Sequence, residues 1–194
     1  MSSLSLLRRQ LRQQRRRVLP HQHRQSEIRI LNQLRRLAVF QHSQHIGVYL
    51  HAFGEIHTRQ LILACFKQQK KVYLPMVCAM NQHLVWVQIS QQQYLNQRFA
   101  PHRLGMQQAM HSRGHRIERL DLVFMPLLAC DQHGTRLGMG GGFYDKTLSR
   151  APRQPFRLGL AHDFQLLSTP LQRQPWDQPL DALLTPSQYR SFKR

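Results

Sequence analysis

The sequence predicts an α/β fold: a single-domain, three-layer α/β/α sandwich around a mostly parallel sheet. Three observations carry that expectation. Short β-rich runs alternate with helical periodicities along the chain. A glycine-rich segment, Thr135 to Lys146, stands between an apolar run and a helix-forming stretch. No internal repeat and no linker divides residues 1–194.

The first element is a basic amphipathic helix over about residues 4–19. Leu4, Leu7, Leu11 and Val18 share one face, arginines 8, 9, 12, 15, 16 and 17 take the rest, and Pro20 ends it. A second helix is expected from Ser26 to Phe40, with Ile30, Leu34 and Leu37 as its apolar stripe. Ile46 to Leu50 reads as a strand. Thr58 can cap a helix whose inner face is Leu61, Ile62 and Cys65. Val72 to Val77 and Leu84 to Ile89 read as strands, and the polar stretch 91–118 as a loop. Leu122 to Cys130 is a buried strand, followed by the glycine segment and a helix from Tyr144 to about Arg150. Arg157 to Ala161 and Ala182 to Thr185 close the sheet, with a turn at Trp176 to Asp181 between them.

Composition narrows the function. There are 28 Lys and Arg against 9 Asp and Glu, a formal charge of +19, and 23 of the 28 are arginine. Such an excess suits anionic partners: nucleic acid, acidic lipid or phosphorylated metabolites. Its even spread along the chain favours a general surface bias over a dedicated target. With three cysteines and no CxxC pair, buried thiols in a reducing compartment are expected. No apolar run approaches a membrane span and no secretory signal is seen, so the expected location is the cytoplasm.

Four glycines fall within five positions at 138–142, with Arg136 before them and Asp145 after. Backbone amides of such a turn can close around a phosphate, Arg136 can supply a fork, and Asp145 can reach a metal. The segment matches neither the GxxxxGK[ST] loop nor the GxGxxG fingerprint, and glycines serving turn geometry alone are the weaker alternative. The alternative for Asp145 is a helix N-terminal charge, and Asp177 reads by spacing as a turn-forming aspartate. Glu55, one of three glutamates, lies in a strand-to-helix connection. It can accept a substrate's ring N–H or belong to a helix-entry cap with Thr58. The 12 histidines form no metal-ligand motif, and His162-Asp163 is the one pair at a strand end. No nucleophile elbow is present.

Asp121-Leu122-Val123, Met125-Pro126-Leu127, Asp131, Gly134 and Arg136-Leu137-Gly138-Met139-Gly140-Gly141-Gly142-Phe143-Tyr144-Asp145 together resemble the signature of the 5-formyltetrahydrofolate cyclo-ligase family. Val48-Tyr49-Leu50 with Gly54-Glu55-Ile56-His57-Thr58, then Lys71 to Pro75, then Trp176-Asp177 to Asp181 with Thr185, extend the resemblance over nearly the whole chain. The resemblance implies a fold of the cyclo-ligase (NagB/RpiA/CoA-transferase-like) type. It implies that ATP and Mg2+ drive conversion of 5-formyltetrahydrofolate to 5,10-methenyltetrahydrofolate, by phosphorylation of the formyl oxygen and ring closure by N10.

The roles it implies follow by position. Arg136, Leu137, Gly138, Met139, Gly140, Gly141, Gly142, Phe143 and Tyr144 hold ATP. Met139 to Phe143 also border the folate, which Leu50 and Glu55 contact. Asp145 and Asp177 are the magnesium ligands, and Arg136, Tyr144 and Asp145 carry the catalysis. Arg8 corresponds to an N-terminal arginine reaching the phosphates and the substrate, and a shifted register pairs it with Arg12 one helical turn on. The family's Glu-Pro has His102-Arg103-Leu104 as its nearest counterpart here. A monomer acting on folate with or without a polyglutamate tail is expected, with no membrane and no requirement for nucleic acid. The rivals are a basic RNA-associated protein on the same fold with a degraded site, and a related ATP-dependent enzyme for another small carbonyl or amide substrate.

Overall fold

The computed structural model describes residues 3–78, 81–102, 105–111 and 113–193. The chain begins with three helices: α1 (Ser3–Arg16), α2 (Pro20–Leu34) and α3 (Ala38–His42). Then come β1 (His45–Gly47), α4 (Arg59–Lys67), β2 (Lys71–Val77) and β3 (Leu84–Ile89). An excursion follows, with α5 (Gln91–Leu95), β4 (Phe99–Pro101) and β5 (Gln107–Ala109). The chain returns through β6 (Leu122–Pro126), β7 (Ala129–Cys130), β8 (Arg136–Leu137) and α6 (Phe143–Leu148). It ends with β9 (Phe156–Leu160), β10 (Ala182–Leu184) and β11 (Tyr189–Ser191).

Seven strands form one sheet in the order β11-β10-β9-β6-β1-β2-β3. The four inner pairings are parallel, while β3 and β11 add antiparallel edges. The predicted α/β class and mostly parallel sheet are what the molecule has. One face packs Ile30, Leu34, Phe40, Leu61, Ile62 and Cys65 from α2, α3 and α4 against Ile46, Val72, Leu122 and Leu158. The other face is covered more thinly, by α6 and a 3-10 turn at Ile117–Arg119 over Tyr73, Trp86, Val123 and Met125. Parallel strands buried on both faces read as continuous apolar runs, which is why β6 stands out in the sequence. Among the described residues no helix is long and apolar enough to cross a membrane.

Several boundaries differ from expectation, each for a local reason. Pro20 opens α2 instead of only ending α1: it occupies the first helical turn, where its missing N–H costs nothing. The helix expected over 26–40 therefore spans 20–34, and α3 is separate because Leu37 is extended (φ −83°, ψ 123°). The apolar run 122–130 is two strands, since β6 stops at Pro126 and β7 pairs with β8 in a separate hairpin. The stretch 91–118 is structured: Ser90 caps α5 by accepting from the Gln93 N–H at 3.1 Å, and β4 pairs with β5. Thr58 precedes α4 without capping it; its hydroxyl donates to the Tyr49 carbonyl at 2.8 Å.

Strand order reverses at β1. From β1 the chain moves to β2 on one side, then returns to β6 on the other. The carboxyl ends of β1 and β6 flank the crevice that such a switch creates, the usual ligand position in open α/β sheets. Residues 48–58 leave β1 there, and the β7–β8 hairpin with its glycine segment leaves β6 there.

Candidate functional site

A cavity of about 1280 Å³ opens at this crevice. The residues assigned to ATP, folate and magnesium border it: Arg8 and Arg12 from α1, Leu50 and Glu55 after β1, Arg136 to Asp145, and Asp177; the His162-Asp163 pair does not. Single small-ligand pockets run to roughly 1,000 Å³, so there is room for two ligands side by side.

The glycine segment does not follow the long buried strand directly. It is carried on the short arm β8, whose partner β7 and the Asp131 turn fix its direction. Burial pushes the Asp131 carboxyl up, but amides of Leu171, Thr135 and His133 outweigh this and hold it below the ordinary range. Within the segment, Gly140 (φ 104°) and Gly142 (φ 64°) need left-handed backbone. A β-carbon on Gly140 would meet nothing within 4 Å, so its backbone faces open cavity. At Gly141 the β-carbon would instead lie 2.6 Å from the Phe143 ring. The helix that follows has only 6 residues, so its macrodipole is weak; free amides, not the dipole, are what it offers an anion.

Arg136 and Asp145 are joined at 2.9 Å, and the other Asp145 oxygen accepts the Gln178 amide at 3.1 Å. The Arg136 guanidinium lies 5.5 Å from the Tyr144 ring centre. Burial raises the Tyr144 phenol well above its ordinary pKa, so it remains a neutral hydrogen-bonding group, not a base. Asp177 accepts the Gln174 amide at 2.8 Å, the turn role its spacing suggests, and the residue also borders the cavity. Arg8 donates to the Gly138 carbonyl at 3.1 Å and ties α1 to the loop.

These groups fit a nucleotide and its metal. Nε of Arg12 and of Arg136 is buried with no hydrogen-bond partner, a cost that an anion in the cavity would remove. Mg2+ is held by one or two carboxylates plus phosphate oxygens and water. Asp145 and Asp177 supply that number. Among the described residues no cluster of three or more His, Cys, Asp or Glu could hold a metal by protein groups alone.

The opposite wall is built from buried charge. Glu55 accepts the Ala52 amide at 3.0 Å and sits 3.6 Å from Arg15. Burial pushes its carboxyl up to about 7, against the pull of Arg15 and the Ala52 amide. Arg15, assigned by the sequence to the polar side of α1, is only 1% exposed. The signal is present in the spacing, because 15 follows 4, 8 and 11 on one helical face. Val18, expected to complete that stripe, lies beyond the end of α1. Other unforeseen lining residues come from the β4–β5 hairpin, Met106 to Gln108, and from Gln82, whose side chain accepts from Lys146 at 3.0 Å. Of His102-Arg103-Leu104, only His102 lies within the described residues.

Behind this wall, His162 contacts the Gly54 carbonyl at 3.2 Å, and Asp163 binds the Ser187 amide at 3.1 Å. His162 belongs to a stack with His23, His51 and His57 that the sequence does not suggest.

A model of the 5-formyltetrahydrofolate cyclo-ligase family matches residues 1–186. The 5-formyltetrahydrofolate cyclo-ligase of Escherichia coli K12 is 33% identical over 184 residues, covering 91% of this chain and 97% of that one. The enzyme of that name from Haemophilus influenzae is 34% identical over 73% of this chain and 75% of its own. In fold, the chain is similar to the 5,10-methenyltetrahydrofolate synthetase of Aquifex aeolicus, with a TM-score of 0.83 at 24% identity over 100% of this chain and 94% of that one.

Proposed function

Because the chain belongs to the 5-formyltetrahydrofolate cyclo-ligase family, we propose that it converts 5-formyltetrahydrofolate to 5,10-methenyltetrahydrofolate using ATP and Mg2+, with release of ADP and phosphate. The observation that carries this reading is one cavity bordered by both sets of groups: an anion-facing glycine loop with two carboxylates, and a buried carboxylate facing them.

The chemistry explains why ATP is needed. Closing the ring requires the formyl oxygen to leave, and an amide oxygen is a poor leaving group. Transfer of the γ-phosphoryl to that oxygen converts it to one that departs as phosphate. N10 attacks the activated carbon, a C–N bond forms, the C–O bond breaks and the N10 proton is lost. No protein nucleophile is required, only positioned charge. Gly138 to Gly142 offer backbone amides to the phosphates, and Arg8, Arg12 and Arg136 offset their charge. Bound magnesium would neutralise the phosphate oxygens, held by Asp145 and Asp177. Leu50 packs on the folate, and Glu55, when ionised, accepts N–H groups of the pterin. Placement in the cytoplasm, action as a monomer and tolerance of a polyglutamate tail belong to the same proposal.

The test is near-ultraviolet absorbance of the methenyl product with 5-formyltetrahydrofolate, ATP and Mg2+, each omitted in turn. Absorbance should require all three. An increase in absorbance without ATP would overturn the phosphoryl-transfer step. RNA binding that weakens steeply with salt, without folate-dependent ATP consumption, would favour the RNA-associated alternative.

A further inference from the structure

We propose that Arg15 is a positioning residue that fixes the folate-facing wall and supplies the cation paired with Glu55, an assignment that rests on the function proposed above. Three chain segments meet at its guanidinium. Nε donates to the Phe53 carbonyl at 3.1 Å, Nη1 donates to the Leu127 carbonyl at 3.1 Å, and Nη2 approaches the Met139 sulfur at 3.9 Å. Phe53 and Glu55 belong to the loop after β1, Leu127 follows β6, and Met139 lies in the glycine segment. One side chain thus joins the carboxyl ends of both switch-point strands to the ATP-facing loop.

The loop it holds is not relaxed. Phe53 adopts φ 51° and Gly54 φ 77°, and a β-carbon on Gly54 would lie 2.6 Å from the Arg15 carbonyl oxygen. The loop is pinned on one side by Arg15 and on the other by the contact of His162 with the Gly54 carbonyl. Arg15 also replaces a residue that packing alone would make apolar, since it continues the face of Leu4 and Leu11. A buried cation is costly unless paired, and its one ion-pair partner among the described residues is Glu55 at 3.6 Å.

The charged and titratable groups facing this pair are Arg12 and Arg16 on α1, Tyr49 after β1, Tyr144 on α6 with Arg136 beside it, and His162 after β9. Both tyrosines are neutral phenols at physiological pH, their pKa raised by burial. Arg15 is therefore the group whose loss most changes the charge at Glu55. A carboxylate must be ionised to accept N–H groups from a pterin. Removing its cation raises its pKa and moves folate recognition to higher pH.

The experiment uses the full chain, with Arg15→Met, Arg15→Lys and Glu55→Gln, and measures KM for both substrates and kcat/KM for the folate from pH 5.5 to 9. In Arg15→Met the folate KM should rise about tenfold or more, the ATP KM should change several-fold less, and the acid limb should move up by about one pH unit. Arg15→Lys should return the limb toward its wild-type position, and Glu55→Gln should abolish it. A residue that merely supports the fold would raise both KM values together and leave the limb in place. An unmoved limb with a folate KM within twofold of wild type overturns the proposal. Should Arg15→Met not fold, Arg15→Lys decides the question instead: both KM values rising equally overturns the proposal, and a selective folate effect supports it. Wild-type protein without methenyl absorbance would instead sink the underlying function, so the two failures are distinguishable.

Discussion

The glycine wall and the Glu55 wall border the same cavity but hold their working groups by opposite means. The glycine wall is shallow and made of backbone. Gly140 and Gly141 are exposed, the loop hangs on a two-residue strand, and its ion pair joins neighbours nine positions apart in the chain. The Glu55 wall is deep and made of side chains. Its cation arrives from α1, its loop from β1 and its clamp from the segment after β9. A wall of the first kind can lose more function than stability. One of the second kind couples function to folding and to pH.

The largest effect that could break this comparison is at Asp145. Asp145→Ala removes a proposed magnesium ligand and the partner of Arg136, and turnover should fall by about 10²–10³. Stability should fall by less than the rate: Arg136, whose side chain is 5% exposed, gives up its ion-pair partner, while Asp145 itself is 18% exposed. Unfolding midpoints measured beside kcat decide it. A loss of stability as large as the loss of rate would make the glycine wall as structural as its opposite.

Arg136→Ala should act next most strongly, raising the ATP KM about tenfold or more and the folate KM less, by loss of a charged hydrogen bond. The reverse ordering would move Arg136 to the folate side. Gly140→Val should raise the ATP KM by roughly tenfold, combining a side chain in the open space proposed for the phosphates with an unfavourable φ of 104°. Gly141→Val acts differently. Its side chain meets the Phe143 ring, so both KM values should rise. Equal nucleotide effects at the two positions would contradict backbone contact at Gly140.

The two walls also differ in how much of each is legible in the sequence. The glycine wall is local: Arg136, the glycines and Asp145 lie within ten residues, and their chemistry is legible in one reading. That Arg136 binds Asp145 in addition to facing the cavity depends on rotamers, which spacing does not encode. The Glu55 wall is assembled from distant segments. Arg15 reads as one more solvated arginine because five others surround it, although its position on the leucine face marks it. The fold class is legible because parallel strands leave apolar runs. The split at Pro126 and the edge strand β11 are not, because a strand end and an exposed polar strand leave little hydrophobic signal.

The smallest expected effect tests how far the deep wall depends on pH. Behind it, His23 and His57 stack at 4.4 Å, His57 and His51 at 4.2 Å, and His162 meets His23 edge-on at 5.2 Å. Burial lowers the pKa of all four, and neighbouring imidazoles add to it for His23, His51 and His162; His162 is brought from 6.5 to about 4 despite the Gly54 carbonyl. Between those values the unfolded chain binds the proton and the folded chain resists it, so stability falls as pH falls from 6.5 to 4. For His162, which is 4% exposed, the loss is on the order of 2–3 kcal/mol. His51, at the exposed end of the stack, should contribute less. Glu55 opposes this trend: its pKa is raised from 4.5 to about 7, so the folded state holds the extra proton and gains stability toward acid over that range. The net slope of the wild type is therefore a difference of two buried terms, and variants separate them. In urea unfolding from pH 4.5 to 7, His162→Gln should flatten the acid loss, while Glu55→Gln should steepen it. Identical slopes in all three proteins would mean that the buried charges at and behind the Glu55 wall are solvated, and that the two walls are alike after all.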